Sequence, residues 1–203
     1  MASALSRPLN DARQRADFTV KVTADKHRPG IEDVQLLPGG RLLLADWNNM
    51  CVKLFDTQGQ HLHTLECRSE PCSLAVLDSS SIRHTVAVTL PDCRGIDILE
   101  VNGDNMEVKG QHLHTLECRS EPCSLAVLDS SSIRHTVAVT LPGCRGIDIL
   151  KVNGDNMEVK RTLQMSRGYD AVAAVSNLTL AVGYRFGPGI DLIDLGGQVL
   201  RQI

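Results

Sequence analysis

Aromatic side chains are scarce in this 203-residue chain, which has one Trp, two Tyr and three Phe. A buried core must therefore be filled by Val, Leu and Ile. Long apolar runs are also missing. The start, MASALSRPLNDARQRADF, lacks the apolar region of a signal peptide, and the most apolar later stretch, residues 171–182, is interrupted by Ser176 and Asn177. We therefore expect no secretion signal, no transmembrane helix and no membrane partner.

Positive charge is not in excess either, since the net charge is −3. Only residues 1–30 are basic, with six Lys or Arg against three Asp or Glu. A domain-wide cationic face for phosphate binding is thus not indicated. The seven cysteines are an odd number and follow no signal peptide, which favours reduced thiols and a cytoplasmic location.

The most informative pattern is a tandem duplication of 51 residues. Gly59 to Lys109 and Gly110 to Lys160 differ only where Asp92 becomes Gly143 and Glu100 becomes Lys151. A period near fifty is typical of one supersecondary unit in a propeller or solenoid, in which each unit buries its apolar face against its neighbours. The duplication therefore predicts a repeat architecture.

Each unit contains the pattern of four short strands. In the first copy, CSLAVLD and TVAVTL are separated by the polar SSSIRH, and GIDILEV and MEVK are separated by the turn NGDN. The apolar residues Val86, Val88 and Leu90 alternate as in a strand with one buried face. We expect the outermost strand to contain a bulge at Gly110, where the two copies join.

Diverged copies of the unit flank the duplication. GIDILEV at residues 95–101 recurs as GIDLIDL at residues 189–195 and more loosely as CVKLFD at residues 51–56. The chain is therefore predicted to be all-β and to form a β-propeller of about four four-stranded antiparallel blades, as a closed ring or an open, partial one. The predicted segments are a flexible N-terminal arm at 1–17 and a propeller at 18–203, with blades at about 31–65, 72–116, 123–163 and 169–203. Phe18 to Val22 is interpreted as the last strand of a preceding blade.

Residues 36–65, LLPGGRLLLADWNNMCVKLFDTQGQHLHTL, resemble an NHL repeat. The motif residues are Asp46, Asn49, Val52, Phe55, Asp56 and Gly59. Asp46 and Asn49 flank a tight connection in which short polar side chains can bond to the backbone, and Gly59 supplies the torsion that returns the chain after Asp56. From about Phe18 onward, the chain resembles the C-terminal propeller of the tripartite-motif NHL (TRIM-NHL) proteins of animals.

That resemblance implies a six-bladed ring that recognises protein or RNA and follows the RING domain, B-boxes and coiled coil of a ubiquitin ligase. No ladder of zinc-binding Cys and His precedes Phe18 in this sequence. We therefore do not expect ubiquitin transfer from this chain, and about four blades are counted where the resemblance implies six.

A repeated set of histidines and cysteines is the first candidate site. It comprises His61, His63, Cys67 and Cys72, repeated as His112, His114, Cys118 and Cys123. Side chains two apart on a strand share a face, so His61 and His63 could approach one metal ion with thiolates nearby. The spacing is not a standard zinc pattern, and we prefer surface histidines with unligated thiols. No metal and no cofactor are predicted.

A calcium-dependent, lactonase-like propeller enzyme is one alternative function. Asp46, Asn48 and Asn49 could form one corner of a calcium site. Leucines align with Asp46 in the two duplicated blades, however, and turn chemistry explains the three residues. No catalytic residue is assigned, because the Ser-rich loop before His84 is also typical of a turn.

An RNA-binding propeller is a second alternative. The arginines that could form a cationic strip are Arg68, Arg83 and Arg94, repeated as Arg119, Arg134 and Arg145, with Lys151 beside them. Acidic neighbours would oppose phosphate binding along this strip.

The preferred hypothesis is a non-enzymatic protein-interaction module. A rigid repeat scaffold with variable connections can present its loops, at one end of the blades, to a partner protein. An incomplete ring would also leave two blade faces and outer-strand edges exposed, which predicts self-association.

Overall fold

The computed structural model describes residues 18–79, 83–102, 109–130, 134–154, 156–184 and 187–203. The arm predicted at residues 1–17 lies outside these ranges. Within them, the strands form four separate four-stranded sheets, and each sheet is an antiparallel meander in chain order. The predicted all-β propeller with four four-stranded antiparallel blades is confirmed.

The blades follow one another along the chain. Blade one contains β1 (Ile31–Leu36), β2 (Leu42–Asp46), β3 (Cys51–Phe55) and β4 (His61–Glu66). Blade two contains β5 (Leu74–Ser79), β6 (Arg83–Leu90), β7 (Gly95–Asn102) and β8 (Lys109–Glu117). Blade three contains β9 (Leu125–Ser130), β10 (Arg134–Leu141), β11 (Gly146–Asn153) and β12 (Asn156–Gln164). Blade four contains β13 (Ala171–Ser176), β14 (Thr179–Gly183), β15 (Ile190–Asp194) and β16 (Val199–Gln202).

Apolar side chains fill the space between neighbouring blades. One core joins blades one and two through Leu, Val and Ala side chains, a second joins blades two and three, and a third joins blades three and four. Among the described residues, no core cluster joins blade four to blade one. The four blades therefore form an open series, in which each inner blade is covered on both faces.

Hydrogen bonds at the innermost strands also link each blade to the next. In three successive blades, one side chain near the start of the first strand accepts the backbone N–H of the following blade. The pairs are Asp33 with Leu74 (2.7 Å), Ser73 with Leu125 (3.3 Å) and Ser124 with Val172 (3.3 Å). Blade four has Ala171 at this position, which offers no side-chain acceptor.

The segment Phe18–Val22 is not a strand, contrary to prediction. It lies across the face of blade one that points away from blade two. The Phe18 ring packs on Phe55, with centroids 5.6 Å apart, and the Val20 carbonyl accepts a hydrogen bond from Lys53 at 3.4 Å. Its alternating apolar pattern is therefore satisfied by covering this face, without strand pairing.

The outermost strands all contain a bulge, but it is not at Gly110 as predicted. Gly110 pairs regularly with Val101, and the register shift in β8 leaves Leu113 unpaired. Equivalent shifts leave one residue unpaired in β4, β12 and β16. The bulge is thus a property of every blade and not of the joint between the two copies.

Short 3₁₀ turns connect the second and third strands of the first three blades. Each ends on a residue in the left-handed conformation, namely Met50, Arg94 and Arg145, with φ of 49°, 50° and 51°. Across the described ranges, no helix has the length and hydropathy that crossing a membrane would need.

Candidate binding site at the mouth of the propeller

A buried charge lies near the start of the third strand in every blade, at the third residue of β3, β7 and β11 and at the second residue of β15. These residues are Lys53, Asp97, Asp148 and Asp191. The group that binds this buried charge lies in the segment that precedes the first strand of the blade, which we call the entering segment. Arg68 contacts Asp97 at 3.1 Å, Arg119 contacts Asp148 at 3.0 Å, and the Tyr169 hydroxyl donates to Asp191 at 2.7 Å. The entering segments are thereby fixed against the sheets that they precede.

Blade one reverses the sign of this charge. Lys53 forms salt bridges to Asp25 and Asp46, both at 2.6 Å. Burial alone would raise the pKa of Asp46, but hydrogen bonds from Lys53 and Asn49 outweigh it and hold the pKa below its ordinary value. Burial would likewise lower the pKa of Lys53, yet the two carboxylates raise it. Asp46 and Lys53 are therefore both charged at neutral pH.

The segments that precede the blades and the 3₁₀ turns of blades one to three meet at one end of the propeller. They enclose a cavity of about 540 Å³, which we call the mouth. Glu32, Asp92, Glu121 and Asp170 line it, one carboxylate from the inner end of each blade, and no lining residue among those described is Lys or Arg. The mouth thus concentrates negative charge on a rigid frame.

Asp92 shows this crowding of carboxylates. Its pKa is raised, first by partial desolvation and then by the nearby charges of Glu70 and Glu121. The pKa of Glu70 is lowered instead, because its own backbone N–H and the Ser69 hydroxyl, at 2.9 Å, donate to it. A cation arriving at the mouth would relieve the repulsion between these groups.

Two thiols lie side by side at the mouth. Cys72 and Cys123 both line the cavity, and Thr89 connects their backbones by accepting from the N–H of Cys72 and donating to the carbonyl of Cys123, each at 3.0 Å. The thiol of Cys72 is hydrogen-bonded to Cys123, and this bond, with burial and the charges of Glu32 and Asp33, raises its pKa. The Cys72 thiol is therefore protonated at neutral pH.

The predicted set of metal ligands does not come together. The bulge in β4 pairs His61 with Phe55 and His63 with Leu54, so the two imidazoles point to opposite faces, contrary to the expectation that they share one. His61 contacts Thr64 at 2.8 Å, and Cys67 packs beside the first core. The described residues contain no group of three or more His, Cys, Asp or Glu that could hold a metal ion.

The second copy repeats this arrangement where it is described. The side chain of His112 lies outside the described residues, and the backbone register places His114 opposite Ile98. Cys118 packs beside the second core, where burial raises its pKa to about 12, as it does for Cys67. Of the predicted set, Cys72 and Cys123 are the described side chains that reach the mouth.

The motif residues of blade one shape its connections. Asp56 accepts the backbone N–H groups of Gln58 and Gln60, both at 2.8 Å, and Gly59 follows with φ of 77°. Asp46 accepts the Gly30 N–H at 3.0 Å. Asn49 bonds to the backbone of His27, while Val52 and Phe55 are buried. These residues hold hairpins and the N-terminal segment.

The described residues of the predicted cationic strip do not lie together on one surface. Arg68 and Arg119 are held by Asp97 and Asp148, and Arg94 and Arg145 are exposed at the ends of the 3₁₀ turns. Arg134 and Lys151 line a separate, small cavity at the far end of blade three, and the side chain of Arg83 lies outside the described residues.

Sequence reasoning missed the mouth and the buried charges. The four carboxylates that line the mouth are separated by 60, 29 and 49 positions in the chain, and no local motif marks it. The buried charges did leave a signal, because Lys53, Asp97, Asp148 and Asp191 interrupt apolar strands at the same position.

Comparison with solved structures finds β-propellers at low sequence identity. A protein from Lactobacillus plantarum matches with a TM-score of 0.65 and 13% identity, over 86% of this chain and 55% of its own. BBS1N, solved in complex with ARL6DN, gives 0.60 and 12% over 84% and 52%. Streptogramin B lyase gives 0.59 and 12% over 86% and 54%.

The chain therefore spans about half the length of the structures it matches. No protein-family model matches the chain, and no curated protein matches it. The class that the fold defines is the β-propeller, and at these identities the likeness shows the fold alone.

Proposed function

We propose that this chain is a non-enzymatic protein-interaction module, similar to the substrate-recognition propeller of TRIM-NHL proteins, and that its mouth binds a basic segment of a partner protein. The observation that carries this proposal is the placing of four carboxylates, from four blades, around a cavity without lining Lys or Arg among the described residues. Propellers that bind proteins are a precedent, since BBS1N was solved in complex with ARL6DN.

We attribute the affinity for a basic peptide to the carboxylates of the mouth. The backbone that carries them does not need to become ordered on binding. The 3₁₀ turns and entering segments are already fixed by Asp97, Asp148 and their arginines. A Lys- or Arg-rich peptide would gain favourable contacts at little cost in protein entropy, and its affinity would fall as salt screens the charges.

Fluorescence anisotropy with labelled basic, neutral and acidic peptides tests this proposal. We expect binding of the basic peptide at low ionic strength, weakened roughly tenfold by combined Glu32→Gln, Glu121→Gln and Asp170→Asn substitutions. The matched control removes three exposed carboxylates from the outermost strands, by Glu66→Gln, Glu117→Gln and Glu158→Gln. Absence of binding, or equal loss in the control, would contradict the proposal.

A propeller enzyme is the second candidate, because a streptogramin B lyase is among the structural neighbours. Under this alternative, a divalent cation attracted to the mouth would polarise a lactone, although the described carboxylates do not form a ready-made metal site. Turnover of a lactone panel or of a streptogramin B antibiotic that depends on added calcium would support the enzyme over the interaction module.

RNA binding is distinguished by its opposite charge requirement. The acidic mouth repels phosphate, so an RNA partner would have to use Arg134 and Lys151 at the far end of blade three. Salt-dependent binding of single-stranded RNA that is lost in Arg134→Gln but kept in the mouth variant would favour RNA.

A further inference from the structure

The face of blade four that points away from blade three resembles an internal surface of the propeller. It contains Ala173, Val175, Ala181, Ile190 and Leu192, and we call it the outer face of blade four. The residues at the same positions in blade two are Ala75, Leu77, Ala87, Ile96 and Ile98, and all five are buried against blade three. Blade three buries Ala126, Leu128, Ala138, Ile147 and Ile149 in the same way against blade four.

Exposure differs sharply between these equivalent positions. Ile190 is 45% exposed, whereas Ile96 and Ile147 are fully buried. Val175 is 59% exposed, whereas the leucines at its position in blades two and three are at most 8% exposed. The outer face of blade four is thus built to be covered, and nothing in the described part of this chain covers it.

The opposite end of the series is already covered. Phe18 packs on Phe55, and Asp25 closes over the buried Lys53. A second copy could not stack its blade one on the outer face of blade four without removing this segment and leaving Lys53 with one partner. Head-to-tail stacking of copies, which would give an open filament, is therefore opposed.

The charges around the outer face of blade four allow the outer faces of two copies to pack against each other. Among the described residues, the face itself is uncharged, and its border carries the cation Arg201 and the carboxylate Asp194. A border with both signs is self-complementary under a two-fold axis. The equivalent of Arg201 in blade three, Arg161, already reaches across to the next blade, where it donates to the Leu195 carbonyl.

We propose that two copies of this chain associate through the outer faces of blade four, so that each supplies the neighbouring sheet that the other lacks. Isologous pairing buries the five apolar residues on both sides and ends at two copies, because the far ends are covered by the N-terminal segments. Arg201 then lies at the border of the interface with the partner copy. This dimer is independent of the mouth, which stays open on each copy.

Sedimentation velocity over a wide concentration range tests the dimer. We expect a monomer–dimer equilibrium without larger species for the wild-type chain. Ile190→Lys should weaken self-association by more than about tenfold, because a buried unpaired charge is costly in an interface. Ile190 is exposed in one copy, so the variant should keep the thermal unfolding temperature that the wild type shows at concentrations where it is monomeric. The control is Leu36→Lys, on β1, whose leucine is 68% exposed and lies outside this face.

Amide hydrogen exchange locates the contact without any substitution. Exchange in β13, β14 and β15 should slow as the wild-type concentration rises, while exchange in β4 should not change. A monomer at all concentrations, a dimer that Ile190→Lys leaves intact, or protection confined to other blades would overturn the proposal. Loss of dimerisation with peptide binding intact, or the reverse, separates this proposal from the function of the mouth.

Discussion

At the scale of single residues, Lys53 occupies the position at which the other three blades bury an aspartate. It is held by two carboxylates, one from β2 and one from the N-terminal segment. Removing any one of these three charged groups would leave a buried ion without its partner. Such an ion is costly, because water cannot hydrate it in the core. Lys53 therefore couples the N-terminal segment to blade one.

Replacing Lys53 by Met should destabilise the fold by about 3–5 kcal/mol, since Asp25 and Asp46 would be left buried and unpaired. Urea unfolding followed by circular dichroism measures this change. The control is Lys26→Met, whose lysine is exposed in the same segment. A loss in Lys53→Met no larger than in the control would contradict the role of the buried triad.

Two buried histidines predict a dependence of stability on pH. The pKa of His84 is lowered by burial and by Arg41, whose guanidinium donates to its Nε2 at 2.7 Å, and the pKa of His135 is lowered by burial. Both are neutral in the folded state, while the unfolded chain takes up protons below about pH 6.5. The free energy of unfolding should therefore fall as pH falls through 6.5 and be unaffected by these groups above it.

Unfolding by urea at a series of pH values checks this expectation. A variant with His84→Gln and His135→Gln, although less stable, should show a smaller slope of unfolding free energy against pH below 6.5 than the wild type. An equal slope in both proteins would mean that the two imidazoles are not kept neutral by folding.

Only some of these side-chain contacts could be predicted from the sequence. The turn chemistry of Asp56 and Gly59 depends on neighbours in the chain, and the hydrogen bonds to Gln58 and Gln60 are of the expected kind. The partners of Lys53 are 7 and 28 residues away, and its burial depends on a segment whose path no local pattern specifies.

At the scale of elements, the strands are the most predictable part of the molecule. Alternating apolar residues with polar breaks led to the four strands of each blade, because one-sided burial is periodic in the sequence. The bulges were not placed correctly from the sequence, because the unpaired residues are three leucines and one lysine, and leucine is also common at regularly paired positions of the strands. Their position depends on sheet twist and not on a local signal.

The turn between β3 and β4 joins the hairpin to the N-terminal segment. Gly59 has φ of 77°, and a Cβ atom there would lie 2.4 Å from Phe18. Gly39, between β1 and β2, has φ of 82° with open space around it. The two positions share the backbone conformation and differ only in the contact.

Gly59→Ala should therefore cost more stability than Gly39→Ala. Backbone strain alone accounts for about 1–2 kcal/mol at either position, and Gly59→Ala must also displace the Phe18 ring from Phe55. Thermal unfolding of both variants measures the difference. Equal losses would show that Phe18 does not pack on this turn.

At the scale of the whole molecule, the duplication adds a complete blade. It begins in the turn before β4 and ends within β12, so each four-stranded sheet stays intact while the series grows by one. The repeat count was accessible from the sequence because each blade carries the same pattern. The mouth and the uncovered outer face of blade four were not, since they arise only when four blades are placed side by side.

The two ends of the series of blades differ in whether their outward faces are covered. One end is sealed by the N-terminal segment, the other presents the outer face of blade four, and the mouth opens between them. Binding at the mouth and pairing at blade four can therefore proceed independently.

A crystal structure of the purified chain tests the central claim most directly, namely that the two copies of the duplication fold as separate, adjacent four-stranded sheets in an open series. The account predicts four blades, with β5 to β8 stacked on β9 to β12 and the outer face of blade four covered by a second molecule. Helices in either copy, strands of one copy shared among several sheets, or blade four packed directly on blade one would contradict it.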